Sequence, residues 1–371
     1  MKAMIMAAGL GTRLLPLTRH TSKPMVPVVG RPVMEYLVQL LARHQISGAA
    51  VNLHHHAQQI REHFGDGSSF GLELRYHYEA KLSGTAGGVG LFRSFLDDQA
   101  FLVVSGDALT DADVAALLAH HRRTGGIATM AVKRVADPSR YGVVVADAQG
   151  RVVGFQEKPS PAAALSDLCN CGIYVFEPAI FDYVPRGEFV DWARHVFPRL
   201  LTEDVPFSTW QLDGYWNDVG SLPAYRESNF DVLTNRVDVA IAGELKHSGI
   251  WVGQEARISP RAHLEPPVFV GAGSSVAAGA RLIGPAVVGD ACVVDADAVV
   301  ERSVLWHHCT VGSGACVSGA LLGNRVAVSP GVAVDVGATI GGGCRVLPGG
   351  ALADAPAAQF GEAGGPDVVS V

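Results

Sequence analysis

The chain has 371 residues, 48% of them apolar and 18% charged, with a formal net charge of −7. That length holds two domains, and the composition is that of a well-buried globular protein, not a disordered or fibrous one. The acidic balance argues against nucleic acid as the main partner. No apolar stretch approaches the roughly 18 residues of a membrane span. The N-terminus, with one lysine and a short apolar run, lacks the pattern of a secretory signal. Cys169, Cys171, Cys292, Cys309, Cys316 and Cys344 show no paired CxxC spacing of a zinc site and read as reduced, mostly buried thiols. The expectation is a soluble, cytoplasmic protein.

Residues 1–6 form an apolar run, read as a buried parallel strand, and Ala7-Ala8-Gly9-Leu10-Gly11-Thr12-Arg13-Leu14 follows. Gly9 and Gly11 let backbone N–H groups approach an anion, and Thr12 and Arg13 add a donor and a charge. This reads as a polyphosphate cradle, although an ordinary strand-to-loop turn has the same look. Next comes Lys23-Pro24-Met25-Val26-Pro27-Val28, a basic residue in a proline-fixed loop. Arg31-Pro32 opens an expected helix through Ile46. Residues 49–53 read as a strand, and His54-His55-His56 after it cannot converge on one ion. Residues 72–77 and 100–105 read as further strands, the second ending at Gly106-Asp107, with Asp111 set to cap the next helix. Such alternation argues an α/β sheet with parallel strands whose ligands sit at the carboxyl ends.

Beyond Asp238 the pattern changes. Apolar anchors fall at Val252, Ile258, Leu264, Val270, Val276, Leu282, Val288, Val294 and Val300, then Leu305, Val311 and Val317, then Leu322, Val328, Val334, Ile340 and Val346. Of these 16 steps, 14 are of six residues and two of five, a period that a sandwich would not keep. A hexad repeat signals a β-solenoid, with three hexads to a triangular coil and about five coils. Ala351 to Val371, rich in Ala, Gly and Pro, reads as a mobile tail.

The pair Gly-x-Gly-Thr-Arg-Leu and Lys-Pro-Met-x-Pro-Val resembles the sugar-1-phosphate nucleotidylyltransferases, in appearance the mannose-1-phosphate guanylyltransferases with a hexapeptide-repeat tail. The resemblance implies a Rossmann-like mixed α/β sheet over residues 1–238 and a left-handed parallel β-helix over 239–350. It implies the reaction of an NTP with a sugar 1-phosphate to give an NDP-sugar and pyrophosphate. The attacking group is already a phosphate anion, so the reaction needs charge neutralisation and in-line placement, not a general base. Arg13 would lie against the β- and γ-phosphates, and Lys23 would neutralise the α-phosphate or the incoming phosphate. Ala8, Gly9, Gly11 and Thr12 would hold the nucleotide, with Gly84 and Thr85 of Gly84-Thr85-Ala86-Gly87. Asp107, and Asp218 in Trp216-Asn217-Asp218-Val219-Gly220, match the pair that binds Mg²⁺. Glu157 and Lys158 of Glu-Lys-Pro match the sugar and sugar-phosphate contacts. Asn170 and Gly172 match the family's sugar-site strand.

Glu79 stands five residues before Gly84. Its carboxylate suits the N1–H and amino group of guanine, favouring GTP; a uracil or thymine suits an amide better. A solvent-facing strand end, with the base read by backbone near Gly84, is the other reading. The match departs at Ser22, Ser83 and Cys171, which leaves substrate identity open. Two alternatives stand beside an active transferase: a silent NDP-sugar-sensing subunit, and a bifunctional enzyme with acyl transfer at His263, His307 or His308. The solenoid is expected to mediate homo-oligomerisation, with Trp251, Trp306 and Phe269, off the anchor frame, turned to a partner.

Overall fold

The structure is a computed structural model and describes residues 1–350 and 352–354. It divides into two compact units, Met1–Leu10 with Met34–Asp218, and Gly11–Val33 with the chain from Val219 onward. The basic loop and residues 219–238 fall in the second of these units.

The first unit is built on a nine-stranded mixed sheet. Its strands are β1 (Lys2–Met6), β2 (Gly48–Leu53), β3 (Glu73–Tyr78), β4 (Phe101–Ser105), β5 (Ala128–Arg134), β6 (Gly142–Ala146), β7 (Val152–Glu157), β8 (Leu168–Phe176) and β9 (Phe207–Gln211). Strands β4, β1, β2 and β3 lie side by side and parallel. Strand β8 pairs antiparallel with β4 and extends the sheet to β5 and β6. Ala3–Ile5, Ala49–Val51 and Leu102–Val103 are fully buried, as central parallel strands covered on both faces must be. The loops after β1, β2, β3 and β4 therefore open at one edge, where a ligand binds in such sheets.

Two local expectations are corrected. Arg31-Pro32 is a short strand, antiparallel to Pro27–Val28, and the helix is Val33–Arg43. Asp113, not Asp111, caps helix Val114–Thr124, accepting the Ala116 N–H at 2.9 Å. Asp111 instead accepts the Tyr215 N–H at 2.6 Å.

In the second unit the anchors line the inside of a three-sided parallel β-helix. On its first face Ile250 pairs Val268, Val268 pairs Ala286, Val287 pairs Val304, Val304 pairs Leu321 and Leu321 pairs Thr339. The two five-residue steps thus shorten two coils by one residue without breaking the stack. Anchors from Val270 to Val346 form one continuous buried cluster. Phe269 and Trp306 point outward, yet each is only 1% exposed. They are covered by their own chain: a Cβ on Gly30 would lie 2.9 Å from the Phe269 ring, and the Trp306 indole meets Tyr225. The expectation that they await a partner is corrected on that ground. At the far end Leu352–Asp354 pairs antiparallel with Cys344–Val346; of the expected mobile tail, 351 and 355–371 lie outside the described residues. Among the described residues no helix is long and apolar enough to cross a membrane.

Leu282 is fully buried within the continuous cluster inside the coil. Leu282→Ala should lower stability by about 2–5 kcal/mol in urea denaturation, whereas Val293→Ala, on an exposed outer position, should stay within about 0.5 kcal/mol. Equal losses would mean that the interior is not packed as described.

Candidate active site

Strand β1 is followed by Ala7 and Ala8, both buried, and then by Gly9, which is exposed. The Ala7 N–H donates to Asn52 Oδ1 at 2.9 Å. Asn52 Nδ2 in turn donates to Glu79 Oε1 at 2.7 Å. The other Glu79 oxygen accepts the Ser83 N–H at 2.9 Å and the Ser83 hydroxyl at 2.5 Å. One buried polar chain therefore ties the ends of β1, β2 and β3 to the loop before Gly84. Glu79 is 4% exposed and Asn52 also 4%. Both Glu79 oxygens accept from protein donors, so a guanine edge would share the carboxylate with Asn52 and Ser83. The polar Asn52 inside an otherwise apolar strand was the one sequence signal of this network.

Gly84 opens helix Gly84–Gly90 with φ +84°, and a Cβ there would sit 2.4 Å from the Val190 carbonyl oxygen. That same oxygen accepts the Ala86 and Gly87 N–H groups, both at 2.9 Å. The Thr85 hydroxyl donates to Asp191 at 2.9 Å and accepts the Trp192 N–H at 3.0 Å. Any contact of Thr85 with nucleotide is thus left to its backbone. Val190 and Asp191 brace this loop from a hundred residues downstream in sequence, roughly, with no local signal to reveal them.

The carboxylate pair sits at one end of a short antiparallel ladder. Trp216 pairs Thr110 and Asn217 pairs Leu109. Asp218 is the next residue after Asn217, and Asp107 stands two before Leu109, so both lie just past the same end. Each is half-buried. Three ties fix the ladder: Trp216 Nε1–H donates to the Cys171 carbonyl at 2.8 Å, the Thr110 hydroxyl to the Tyr215 carbonyl at 2.7 Å, and Lys133 Nζ to the Gly214 carbonyl. Lys133 and Thr110 were not singled out in sequence. Two carboxylates, hard oxygen donors, suit Mg²⁺, which keeps waters and takes phosphate oxygens for the rest of its shell. Among the described residues no group of three or more His, Cys, Asp or Glu gathers into a metal cage.

Lys158 holds a left-handed backbone, φ +47°, unusual for a residue before proline. Its N–H donates to the Tyr141 carbonyl at 3.1 Å, and its ammonium lies 3.1 Å from Glu157. With the lysine side chain 57% exposed, that ion pair is weak and open to exchange for a phosphate. Asn170 is used within its own strand: Nδ2 donates to the Tyr174 hydroxyl at 2.8 Å and Oδ1 accepts the Gly172 N–H at 3.0 Å. Gly172, at φ +68°, passes so close to Ser105 that a Cβ would lie 2.5 Å from its hydroxyl. These two shape a bulge in β8, where pairing with β5 shifts register. Burial pushes the Cys171 thiol well above its ordinary range, so it fills space as a neutral group.

In the second unit Gly11 is left-handed, φ +68°, and leads into the single turn Thr12–Leu14. Thr12 and Arg13 are exposed, whereas Lys23 is only 6% exposed. The Gly11 backbone packs on Lys23, where an added Cβ would come within 2.9 Å of the lysine Cβ. The Thr18 hydroxyl donates to the Gly11 carbonyl at 2.8 Å. The two phosphate-loop candidates, Gly11–Arg13 and Lys23, are thus one packed element. His263 pairs with Glu265 at 2.9 Å, His307 Nδ1 accepts the Asp290 N–H at 3.1 Å, and burial lowers His308.

A Cβ on Gly88 would lie 2.5 Å from Asn52 Nδ2 and 3.1 Å from Glu79 Oε1. Gly88→Ala should therefore break the Asn52–Glu79 contact and cost about 2–4 kcal/mol by chemical denaturation, with turnover falling at least about tenfold. A fully stable and active Gly88→Ala would show that the network yields freely.

Two family models match the chain: the nucleotidyl transferase model over residues 2–235 and the GMPPB C-terminal domain model over residues 247–348. The UTP–glucose-1-phosphate uridylyltransferase of Synechocystis sp. is 38% identical over 353 residues, 91% of either chain. The mannose-1-phosphate guanylyltransferase of Mycobacterium tuberculosis is 34% identical over 306 residues, 81% of this chain and 83% of its own. A Bacillus anthracis protein solved with sucrose, described as a glucose-1-phosphate thymidylyltransferase, aligns with TM-score 0.57 at 24% identity. It spans 64% of this chain and 96% of its own, a likeness of fold alone. The chain belongs to the sugar-1-phosphate nucleotidyltransferase family.

Proposed function

We propose that the protein transfers a nucleotidyl group from GTP to a hexose 1-phosphate, releasing pyrophosphate. The observation that carries this reading is the pair Asp107 and Asp218 at one end of a tied ladder, within the sheet unit whose strand-end loops are cross-braced. An oxygen of the sugar phosphate attacks the α-phosphorus, and the bridging oxygen to the β-phosphorus leaves with its electron pair. Both partners are anions throughout, so the chain's task is to hold charge and line up the attack. Arg13 is the cation for the departing pyrophosphate and Lys23 for the α-phosphate or the incoming phosphate. Lys158 exchanges Glu157 for the sugar phosphate. Ala8, Gly9, Gly11 and Thr12 supply backbone and hydroxyl donors, and the backbone at Gly84 and Thr85 faces base and ribose. Asp107 and Asp218 would hold Mg²⁺, which supplies charge neutralisation and a template for the phosphates when bound.

A second reading, UTP with glucose 1-phosphate, is favoured by one observation: Glu79 already serves three protein donors, which weakens the residue argument for guanine. The 38% relative is a uridylyltransferase, and the 34% relative supports GTP with mannose 1-phosphate. Self-association through the coil, on this reading, uses outer faces other than those of Phe269 and Trp306.

A matrix of GTP, UTP, dTTP and ATP against mannose and glucose 1-phosphates, scored by pyrophosphate, tests both readings. Release should require Mg²⁺ or Mn²⁺ and stop with EDTA. Asp107→Ala and Asp218→Ala should each lower the rate at least about 100-fold. Lys158→Ala should raise the sugar-phosphate KM and leave the NTP KM nearly unchanged. No pyrophosphate with any pair would sink the proposal, and normal turnover of either aspartate variant would remove that residue from the metal site.

A further inference from the structure

The loop that carries Lys23 runs into a hairpin, Pro27–Val28 against Arg31–Pro32, that is poorly able to hold itself. Pro27 pairs Pro32, and neither has an N–H to donate. The turn between the strands is Val29-Gly30, with φ +45° and +78°. Positive φ at both central residues is the tight-hairpin geometry, but a β-branched valine is among the least tolerant residues there. A conformation of that kind persists only where its surroundings impose it.

The surroundings are identifiable. Helix Leu222–Leu233 supplies Tyr225 and Asn229, each 0% exposed. The Tyr225 hydroxyl donates to the Pro27 carbonyl at 2.5 Å. Asn229 Oδ1 accepts the Val29 N–H at 2.9 Å, and its Nδ2 donates to the Tyr225 carbonyl at 2.9 Å. Tyr225 is itself set from the coil, where Trp306 Nε1–H donates to its hydroxyl at 2.7 Å and the rings meet edge to face. The Phe269 ring closes on Gly30. The Arg226 guanidinium donates to the Gly319 carbonyl at 2.9 Å and pins the same helix to the coil. Apart from the part-buried Arg226, every donor and acceptor in this path is buried, so losing one leaves its partner unpaired at full cost.

We propose that Trp306, Tyr225 and Asn229 are positioning residues for Lys23: the β-helix is the template that holds the phosphate loop in its working conformation. This rests on the proposed role of Lys23 and adds a second use for the coil. The indole fixes the phenol, the phenol and the carboxamide fix the hairpin, and the hairpin fixes the path of residues 23–26, where the Val26 N–H returns to the Lys23 carbonyl at 3.1 Å.

The test uses the full chain and Tyr225→Phe, which keeps the ring packed on Trp306 and removes only the hydroxyl. Its kcat should fall at least about tenfold, with both KM values within about twofold, since the lost contact acts on transition-state charge. Amide exchange at Val26 and Val29 should speed up while the coil amides of residues 268–322 keep their protection. On a Lys23→Ala background the same substitution should cost nothing further, because the two act as one unit. Losses that multiply in the double variant, or unchanged exchange at Val29, would overturn the inference and leave the transferase reading intact. Full turnover by Lys23→Ala would overturn the role assigned to Lys23, and with it the positioning claim, whatever the exchange data show.

Discussion

The Glu79 carboxylate, buried and bonded by three protein donors, is the interaction on which the sheet unit's site depends. Three loops leave the ends of neighbouring parallel strands, and each needs a fixed backbone to present amides. Such loops have few apolar contacts of their own, and bond-by-bond hydrogen bonding to water would leave them mobile. The Ala7–Asn52–Glu79–Ser83 chain replaces water with protein partners in a site of low dielectric, where a satisfied polar network is stiff and a broken one is costly. The glycine at 88 follows from the same constraint, since the helix backbone must pass where a methyl group would strike Asn52.

The second unit meets a similar demand by different means. Its phosphate-loop candidates lie on chain with almost no regular structure, and the adjoining hairpin has prolines where its donors should be. A parallel β-helix is a stiff object, each coil paired on three sides with the next. Placing Phe269 and Trp306 on its outside, under Gly30 and Tyr225, gives that stiffness to the loop. In both units buried polar bonds hold backbone beside the groups expected to meet phosphate. That suits a reaction in which the chain supplies placement and charge and no proton transfer.

Legibility in the sequence divides along physical lines. The coil was readable because one six-residue spacing recurs across a hundred residues, roughly, and nothing else requires it. Strands 49–53 and 100–105 were readable from short, mostly apolar runs between turn residues. The motif aspartates were readable as a pair, but not the ladder that brings them to one end, which rests on Thr110, Lys133 and the Trp216 indole. The donors to Glu79 were not readable, because they come from Asn52, 27 residues earlier, and from a serine hydroxyl whose direction no sequence shows. Trp306 and Phe269 were rightly placed off the anchor frame, but periodicity says only that a side chain faces outward, not what covers it. Asp111 and Asp113 compete for one cap, and the neighbouring Tyr215 N–H decided between them.

The most direct measurement is kcat/KM for GTP, UTP, dTTP and ATP with Glu79→Gln beside the unaltered enzyme. An amide there offers one acceptor oxygen to three donors and aims its own N–H groups at one of them. If Glu79 is the structural tie described above, every nucleotide should lose at least about tenfold and their order should not change. A loss confined to GTP, or a new preferred base, would mean that the carboxylate reads the nucleotide after all.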